Sequence, residues 1–226
     1  MKTVAPARPS ATVVLFRENG DVGEVLLVQR SGRLDFHGGA WVFPGGRVDE
    51  AEEVAAAGDS LAAARAAAVR EVMEETNLTV APDLLVPISR WTTPVEAPKR
   101  FVTWFFLGRA EEGAEVKVDG REIVASRWLK PADAIGEHHA GALDIPPPTF
   151  VTLLRLASAQ SLASHFRECA TCEPDIYEPR IVIVEKEFFS LYAGDAGFEE
   201  CDLTKTGPRH RLYSTPSGWC YERSGC

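Results

Sequence analysis

The sequence predicts an α/β (α+β) fold: a mixed β-sheet sandwiched between helices, followed by a β extension at the C-terminus. Three observations carry this. Two short apolar runs, "ATVVLFR" and "EVLLVQR", flank the turn "ENGDVG" near the start. A long run of strong helix formers, "SLAAARAAAVREVMEETN", follows, and then strand-like and helix-like segments alternate. Beyond residue 168 the chain changes character and turns to short strand-like runs separated by turns.

Taken in order, the first two runs read as strands about a Gly-containing turn. "AWVFPGG" reads as a short strand ending at a Pro-Gly-Gly break. The alanine-rich run reads as a helix from Ser60, capped by Asp59 or Ser60 and closed by Asn77 in a left-handed conformation. Strands follow near "LLVPISRW", "RFVTWFFLGR" and "EIVASRWL", and a helix spans about Thr149 to Arg167 after the "PPP" break. "CATCEPDIYEPR" reads as a loop. "IVIVEKEFFSLYAG" and "RHRLYSTPSGWCYE" read as short strands with turns. The expected division is residues 1–168 as the main domain and residues 169–226 as an extension packed on it.

Composition narrows the function. With 226 residues, 45% of them hydrophobic, the chain can bury one sizeable core. A formal net charge of -9 argues against nucleic acid as a partner, because a phosphate-backbone footprint needs a basic face. No stretch approaches the roughly 20 apolar residues of a membrane span, and the N-terminus has no apolar run of signal-peptide length. No membrane partner is expected, and the cytoplasm is the expected location. The five cysteines, an odd number, do not read as a disulfide framework. Cys169 and Cys172 form a CxxC, with Cys201, Cys220 and Cys226 downstream. They lack a second CxxC, so free thiols are preferred to a structural Zn²⁺ site. "GPRHRL" is either a basic segment folded over a phosphate or an ordinary strand start. A homodimer is compatible with the sequence.

The chemistry sits in "VREVMEETNL". On a helix, Glu71, Glu74 and Glu75 share one face, where like charges destabilise. A hard divalent cation offsets that cost, because Mg²⁺ takes carboxylate and phosphate oxygens. The plain alternative is a solvated face with Arg70 paired to Glu74 one turn on. Upstream context favours the cation: the sharp loop Phe43-Pro44-Gly45-Gly46 feeds the same region.

These residues resemble the signature box of the Nudix hydrolases, which implies a Nudix-type mixed sheet between helices. Gly46 and Glu52 match its first two fixed positions, and Arg70, Glu71, Val72, Glu74, Glu75 and Leu78 match its second half. Two departures stand out. Seventeen residues rather than seven separate Glu52 from Arg70, a ten-residue insertion expected in the loop before the helix, so Asp49, Glu50 or Glu53 compete with Glu52 as Arg70's partner. Asn77 replaces a glycine, a mild change because Asn tolerates the left-handed region.

The resemblance implies hydrolysis of a small-molecule diphosphate with Mg²⁺ or Mn²⁺. It makes Glu71 and Glu75 the first metal ligands, Glu74 a further ligand or base, and Gly45 a source of a backbone carbonyl. Arg70 and Glu122 join Glu71 and Glu74 as catalytic candidates. Glu122 is read evenly as site acid or exposed loop residue. Within the family, "LLVQRSGRLDFHGGAWVFPGG" is similar to the coenzyme A diphosphatase signature, with Leu26, Leu27, Arg30, Ser31, Gly39 and Phe43 to Gly46 matching. Val28 replaces a threonine, and Asp35 replaces an arginine. "TTPVEAPKRFVTWFFLG" and "IPPPTFVTLLRLA" resemble the peroxisomal-type branch and its bacterial relatives. The ending "RSGC" is no peroxisomal Ser-Lys-Leu signal, which points to a bacterial cytoplasm.

Candidate substrate-binding residues are Arg30, Arg33, Gly46, Lys99 and Arg100. Trp91, Phe101 and Trp104 stack a base or line a pantetheine channel, or else belong to the core, which the alternation in "FVTWFFLG" favours. His138 and His139 form no ligand spacing. The expected substrate is coenzyme A or an acyl derivative, giving 3′,5′-ADP and phosphopantetheine. ADP-ribose, a dinucleotide or a nucleoside triphosphate is the alternative within the class. A non-catalytic sensing module is the alternative outside it, and an isopentenyl-type isomerase is discounted because all the cysteines lie late.

Overall fold

The computed structural model of the chain describes residues 4–33, 37–185 and 187–225. Asp35 and Cys226 lie outside them.

The predicted hairpin forms from β1 (Ala7–Arg17) and β2 (Glu24–Arg30). The "AWVFPGG" segment divides into β3 (Trp41–Val42) and β4 (Gly45–Arg47), with Phe43-Pro44 as the corner between them. β5 (Val86–Thr92), β6 (Arg100–Arg109) and β7 (Ile123–Leu129) follow. Together with β8 (Asp175–Tyr177) they build one mixed sheet in the order β3-β2-β1-β6-β5-β8, with β4 also on β1 and β7 also on β2. The central pair is parallel: β1 runs beside β6 from Ala7 opposite Arg100 to Phe16 opposite Arg109.

A sheet buried on both faces reads as near-continuous apolar sequence, which explains "ATVVLF". Side chains alternate across it. Ala11, Val13 and Leu15 point to one core and Val14 and Phe16 to the other. The first core is closed by α2 (Ser60–Thr76), whose inward stripe is Ala63, Ala64, Ala67, Ala68 and Val72. Those small side chains let the helix sit close against β1. The Asp59 carboxylate caps it, accepting from the N–H groups of Leu61 and Ala62 at 3.0 Å each. Asn77 ends it at φ 58, its N–H bonded to the Met73 carbonyl at 2.9 Å.

The second core is covered by α3 (Pro131–His139), α4 (Pro147–Ala157), α5 (Leu162–Cys169) and a four-stranded antiparallel sheet. That smaller sheet is β9 (Arg180–Val184), β10 (Glu187–Leu191), β11 (Arg209–Thr215) and β12 (Gly218–Ser224). Trp219 on β12 docks it on the helices, donating from Nε1 to the Ile145 carbonyl at 2.7 Å and from its backbone N–H to His138 Nε2 at 3.1 Å. His138 therefore carries its proton on Nδ1, which faces the Leu143 carbonyl at 2.9 Å.

Several expectations are corrected. The helix expected over Thr149 to Arg167 is two helices, broken at Ser158–Ser161, where the Ser161 hydroxyl caps α5. Part of "CATCEPDIYEPR" is not loop: Asp175–Tyr177 adds an edge strand parallel to β5. The ten-residue insertion is not all loop either, since α1 (Glu50–Ala55) occupies its start with Asp49 and Glu52 forming a capping box. Of the two readings of "GPRHRL", the strand start holds: it opens β11, and the Arg211 guanidinium is buried on Asp195, at 2.7 and 2.6 Å. Cys169 is buried with Sγ 3.4 Å from His165 Nε2, whereas Cys172 is exposed, so the CxxC thiols face different surroundings. Among the described residues no helix is long and apolar enough to cross a membrane.

Candidate active site

Two elements make the site: the β3–β4 corner and the last two turns of α2. The corner is pinned to β1 by the Val13 N–H on the Pro44 carbonyl at 2.8 Å. Its two glycines are required by close approach. A Cβ on Gly45 would run into the Ala11 carbonyl and Thr12, and one on Gly46 would fall inside the Glu71 carboxylate. With hydrogen in both places, α2 brings its carboxylates against the corner. Glu75 Oε2 accepts the Gly45 N–H at 2.9 Å.

Arg70 organises the rest. Its Nε donates to Glu52 Oε1 at 2.9 Å and its Nη2 to Glu52 Oε2 at 3.2 Å. Nη1 donates to Glu71 Oε1 at 2.9 Å and to Glu74 Oε2 at 3.2 Å, and Nη2 also reaches the Arg47 carbonyl at 2.9 Å. A guanidinium has five N–H groups, and these contacts engage all of them. Glu52 is thus Arg70's main partner despite the insertion. Asp49 lies further off at 3.7 Å, and Glu50 and Glu53 are exposed. The predicted Arg70–Glu74 pair is present as one arm of this network.

The electrostatics single out Glu75. Burial, with the charges of Glu71 and Glu122 added, pushes its carboxyl up to about 8 against the opposing Gly45 N–H and Arg30. Burial also raises Glu71, against the Arg70 hydrogen bond, and Glu74 and Glu122 add to the rise. Burial would raise Glu52 as well, but Arg70 outweighs it and holds that carboxyl below its usual value. All three helix carboxylates also lie at the negative end of the α2 dipole, with no basic residue in the last turn. A hard cation removes each of these penalties at once, and the carboxylate and carbonyl oxygens here are donors that Mg²⁺ or Mn²⁺ accepts. The donor set fits in kind. Among the described residues, no three acidic, His or Cys side chains are already gathered around one ion position, and Glu71 is held by Arg70.

Glu122 comes from the loop before β7. Asp119 fixes that loop by accepting the N–H groups of Arg121, Glu122 and Ile123 at 3.2, 2.9 and 2.8 Å, and the Glu122 carbonyl takes the Ser31 N–H at 2.7 Å. Glu122 is exposed and lines the same cleft of about 630 Å³ as Arg30, Gly45, Gly46, Arg70, Glu71, Glu74 and Glu75. The other expected substrate residues are not brought there. Arg33 is exposed outside the lining, and Lys99 does not line it. Arg100 holds the β5–β6 turn instead, donating to the carbonyls of Thr93 at 3.1 Å and Ala5 at 3.0 Å. The cleft adds Arg47, Asp119 and Arg121, which sequence reasoning passed over. Only the acidic turn "VDGRE" around Asp119 signalled any of them. Trp91 is a buried core residue stacked on Tyr177 at 3.8 Å, Trp104 is half-buried against the α2-side core, and Phe101 lines the cleft.

The family model described as the NUDIX domain matches residues 6–149. The chain belongs to the Nudix family. Its fold is a Nudix fold, a mixed sheet flanked by helices. A NUDIX hydrolase structure from Alicyclobacillus acidocaldarius superposes with a TM-score of 0.66 at 25% identity, covering 73% of this chain and 97% of that one. A Caenorhabditis elegans sequence named as nudix hydrolase 7 is 25% identical over 194 residues. The human acyl-coenzyme A diphosphatase NUDT19 is 34% identical over 83 residues, 36% of this chain. The chain spans 63% of the nematode relative's length and 22% of the human one's. Nudix hydrolases in general act on small-molecule diphosphates with Mg²⁺ or Mn²⁺.

Proposed function

We propose that this chain is a metal-dependent diphosphohydrolase whose substrate is coenzyme A or an acyl-coenzyme A, cleaved to 3′,5′-ADP and (acyl-)phosphopantetheine. The observation that carries the reaction class is the buried Glu75 carboxylate on the Gly45 N–H, beside Glu71 and in a cleft it shares with Glu122. Glu71, Glu75, Glu74 and a Gly45 carbonyl would hold Mg²⁺ or Mn²⁺. When bound, the ion neutralises diphosphate oxygens and lowers the pKa of a coordinated water. Arg70 keeps Glu71 and Glu74 in register by donating to both, with Glu52 bracing the guanidinium from the far side. Glu74, exposed at the rim, or Glu122, on its pinned loop, takes the proton as water attacks phosphorus. Arg30 faces the phosphates from β2, with Gly46 leaving room for them.

The substrate assignment is supported by the matches at Leu26, Leu27, Arg30, Ser31, Gly39 and Phe43 to Gly46, and by the likeness to the human acyl-coenzyme A diphosphatase. The second arginine of that signature is Asp35, so recognition of a 3′-phosphate falls to another cation. Arg47 and Arg121, both at the cleft, are suited to it. Residues 169–226 belong to the same folding unit in this reading.

The test is release of phosphate monoester from coenzyme A, acyl-coenzyme A, ADP-ribose, NADH and nucleoside triphosphates, with Mg²⁺ or Mn²⁺, for wild type and Glu75→Gln. Metal-dependent formation of 3′,5′-ADP, lost in the variant, is expected. Cleavage of another diphosphate in its place would keep the site and overturn the substrate. No turnover at all would favour a sensing module.

A further inference from the structure

Beside the acidic cleft lies a second cavity of about 360 Å³, a size within the range of small-molecule sites. The two share Thr12, His37, Val42, Phe43, Phe101 and Thr103 as a common wall. Their chemistry is opposite. The cleft is lined by carboxylates and guanidinium groups, whereas no Asp, Glu, Lys or Arg is among the described residues lining the second cavity.

Beyond the shared wall, the end of β5 and the turn after it, Trp91 to Pro94, line it, and three further parts of the chain enclose it. Phe101, Thr103 and Phe105 alternate along β6 and face it from the sheet. Pro146, Pro147 and Pro148 form a rigid wall at the start of α4 that offers no N–H donor. The C-terminal sheet closes the outside. Ile181 on β9 sits opposite Ser190 on β10, and Phe188 and Tyr192 share the Ser190 face. The β extension therefore supplies a wall of a cavity that opens on the proposed diphosphate site.

We infer that this cavity binds an apolar substituent carried by the diphosphate substrate, with β9 and β10 setting how large a substituent fits. Under the coenzyme A reading proposed above, on which this identity rests, the substituent is the acyl chain of an acyl-coenzyme A. A nucleobase is a poorer occupant. Among the described lining residues no Asn, Gln, Asp or Glu offers a paired contact to a base edge, the polar groups being scattered hydroxyls and His37, the prolines offer no N–H, and one face of Trp91 is already covered by Tyr177. A ligand spanning both sites has a charged diphosphate at one end and a hydrocarbon at the other, which matches the change of lining across the shared wall.

The test is calorimetric titration, in Mg²⁺ buffer, of the ethyl and octyl esters of methylenediphosphonate, which resist hydrolysis. Each buried methylene is worth up to about fourfold in affinity. The octyl ester is expected to bind at least tenfold tighter than the ethyl ester. Ile181→Asp is expected to cut that ratio below threefold, and Phe188→Ala to lower it less. Circular dichroism on both variants guards against misfolding. Equal affinities of the two esters for wild type, or a ratio unchanged in both folded variants, would overturn the proposal. Turnover of free, acetyl- and lauroyl-coenzyme A is measured alongside. If the octyl ester is preferred while no coenzyme A compound is cleaved, the cavity assignment stands and the coenzyme A reading falls. If coenzyme A compounds are cleaved without any octyl preference, the reverse holds.

Discussion

Glu52 and Arg70 are 18 positions apart and meet in a two-armed ion pair, at 2.9 Å and 3.2 Å. The insertion between them does not displace Glu52, because α1 takes up the first part of the added chain and Asp49 caps it in place. Arg70 is then held from both sides, by Glu52 on the α1 side and by Glu71 and Glu74 on its own helix. That arrangement puts one guanidinium in contact with three carboxylates of the box.

Replacing Arg70 leaves those carboxylates to repel one another. Arg70→Ala is expected to lower stability in EDTA by about 1–3 kcal/mol, short of a fully buried pair because the side chain is 27% exposed. Arg70→Lys should recover little of it, since one ammonium cannot make the fork. Urea denaturation of the three proteins checks this. Full recovery by lysine would mean that charge alone, and not the fork geometry, is what Glu52 and Glu71 need.

At the end of α2, Asn77 sits at φ 58. Glycine adopts that region without a Cβ penalty, and Asn is among the next best. Asn77→Gly is expected to be neutral or to stabilise by a few tenths of a kcal/mol, and Asn77→Ala to cost about 1 kcal/mol. Thermal melts of both variants decide it. Equal melting temperatures for the two would show that the helix end is not held in the left-handed conformation in solution.

These two positions also mark how far the sequence could be read. α2, its Asp59 cap and its Asn77 close are local features, set by helix formers and capping side chains, and they stand as expected. The parallel β1–β6 pair left its trace as continuous apolar runs. What escaped depended on distant partners. β8 is three residues that become a strand only because β5 offers an edge, and the break between α4 and α5 has no Pro or Gly to announce it. Arg100 reads as a phosphate ligand in the sequence but is tied to Ala5, 95 positions away. The glutamates of the box were legible by spacing. That Glu75 is the buried one, on the Gly45 N–H, was not, because it depends on how closely the corner meets the helix.

The C-terminal sheet has its own charged anchor. Asp195 is fully buried, paired with Arg211 and also accepting the N–H groups of Gly197 and His210. Burial pushes its carboxyl up, but Arg211 and the backbone donors outweigh that and bring it down to about 2. A depressed carboxyl stabilises the fold at pH above its unfolded value near 3.8, and that stabilisation disappears as pH falls from there through 2. The loss should amount to about 2 kcal/mol. Asp195→Asn should lack this acid component and be destabilised at pH 7 by about 3–5 kcal/mol, because Arg211 stays buried and unpaired. Urea midpoints at pH 7, 4 and 2.5 test it, and parallel pH dependence in the two proteins would rule out Asp195 as the source.

The last prediction separates the role of Glu75 in folding from its role in metal binding. A buried carboxylate with one backbone donor costs free energy that an amide of the same shape does not. In EDTA, Glu75→Gln is therefore expected to match wild type or exceed it by about 1 kcal/mol. A ligand that binds only the folded state adds about 2.7 kcal/mol at 100 times its Kd. Mg²⁺ at that level should raise the melting temperature of wild type and leave Glu75→Gln nearly unmoved. The same variant should lose turnover while remaining folded. If Mg²⁺ stabilises both proteins equally, the ion binds elsewhere, and the crowding of carboxylates at the end of α2 would need another explanation. If the variant is instead the less stable protein in EDTA, the Gly45 N–H contact contributes more to folding than the buried charge costs.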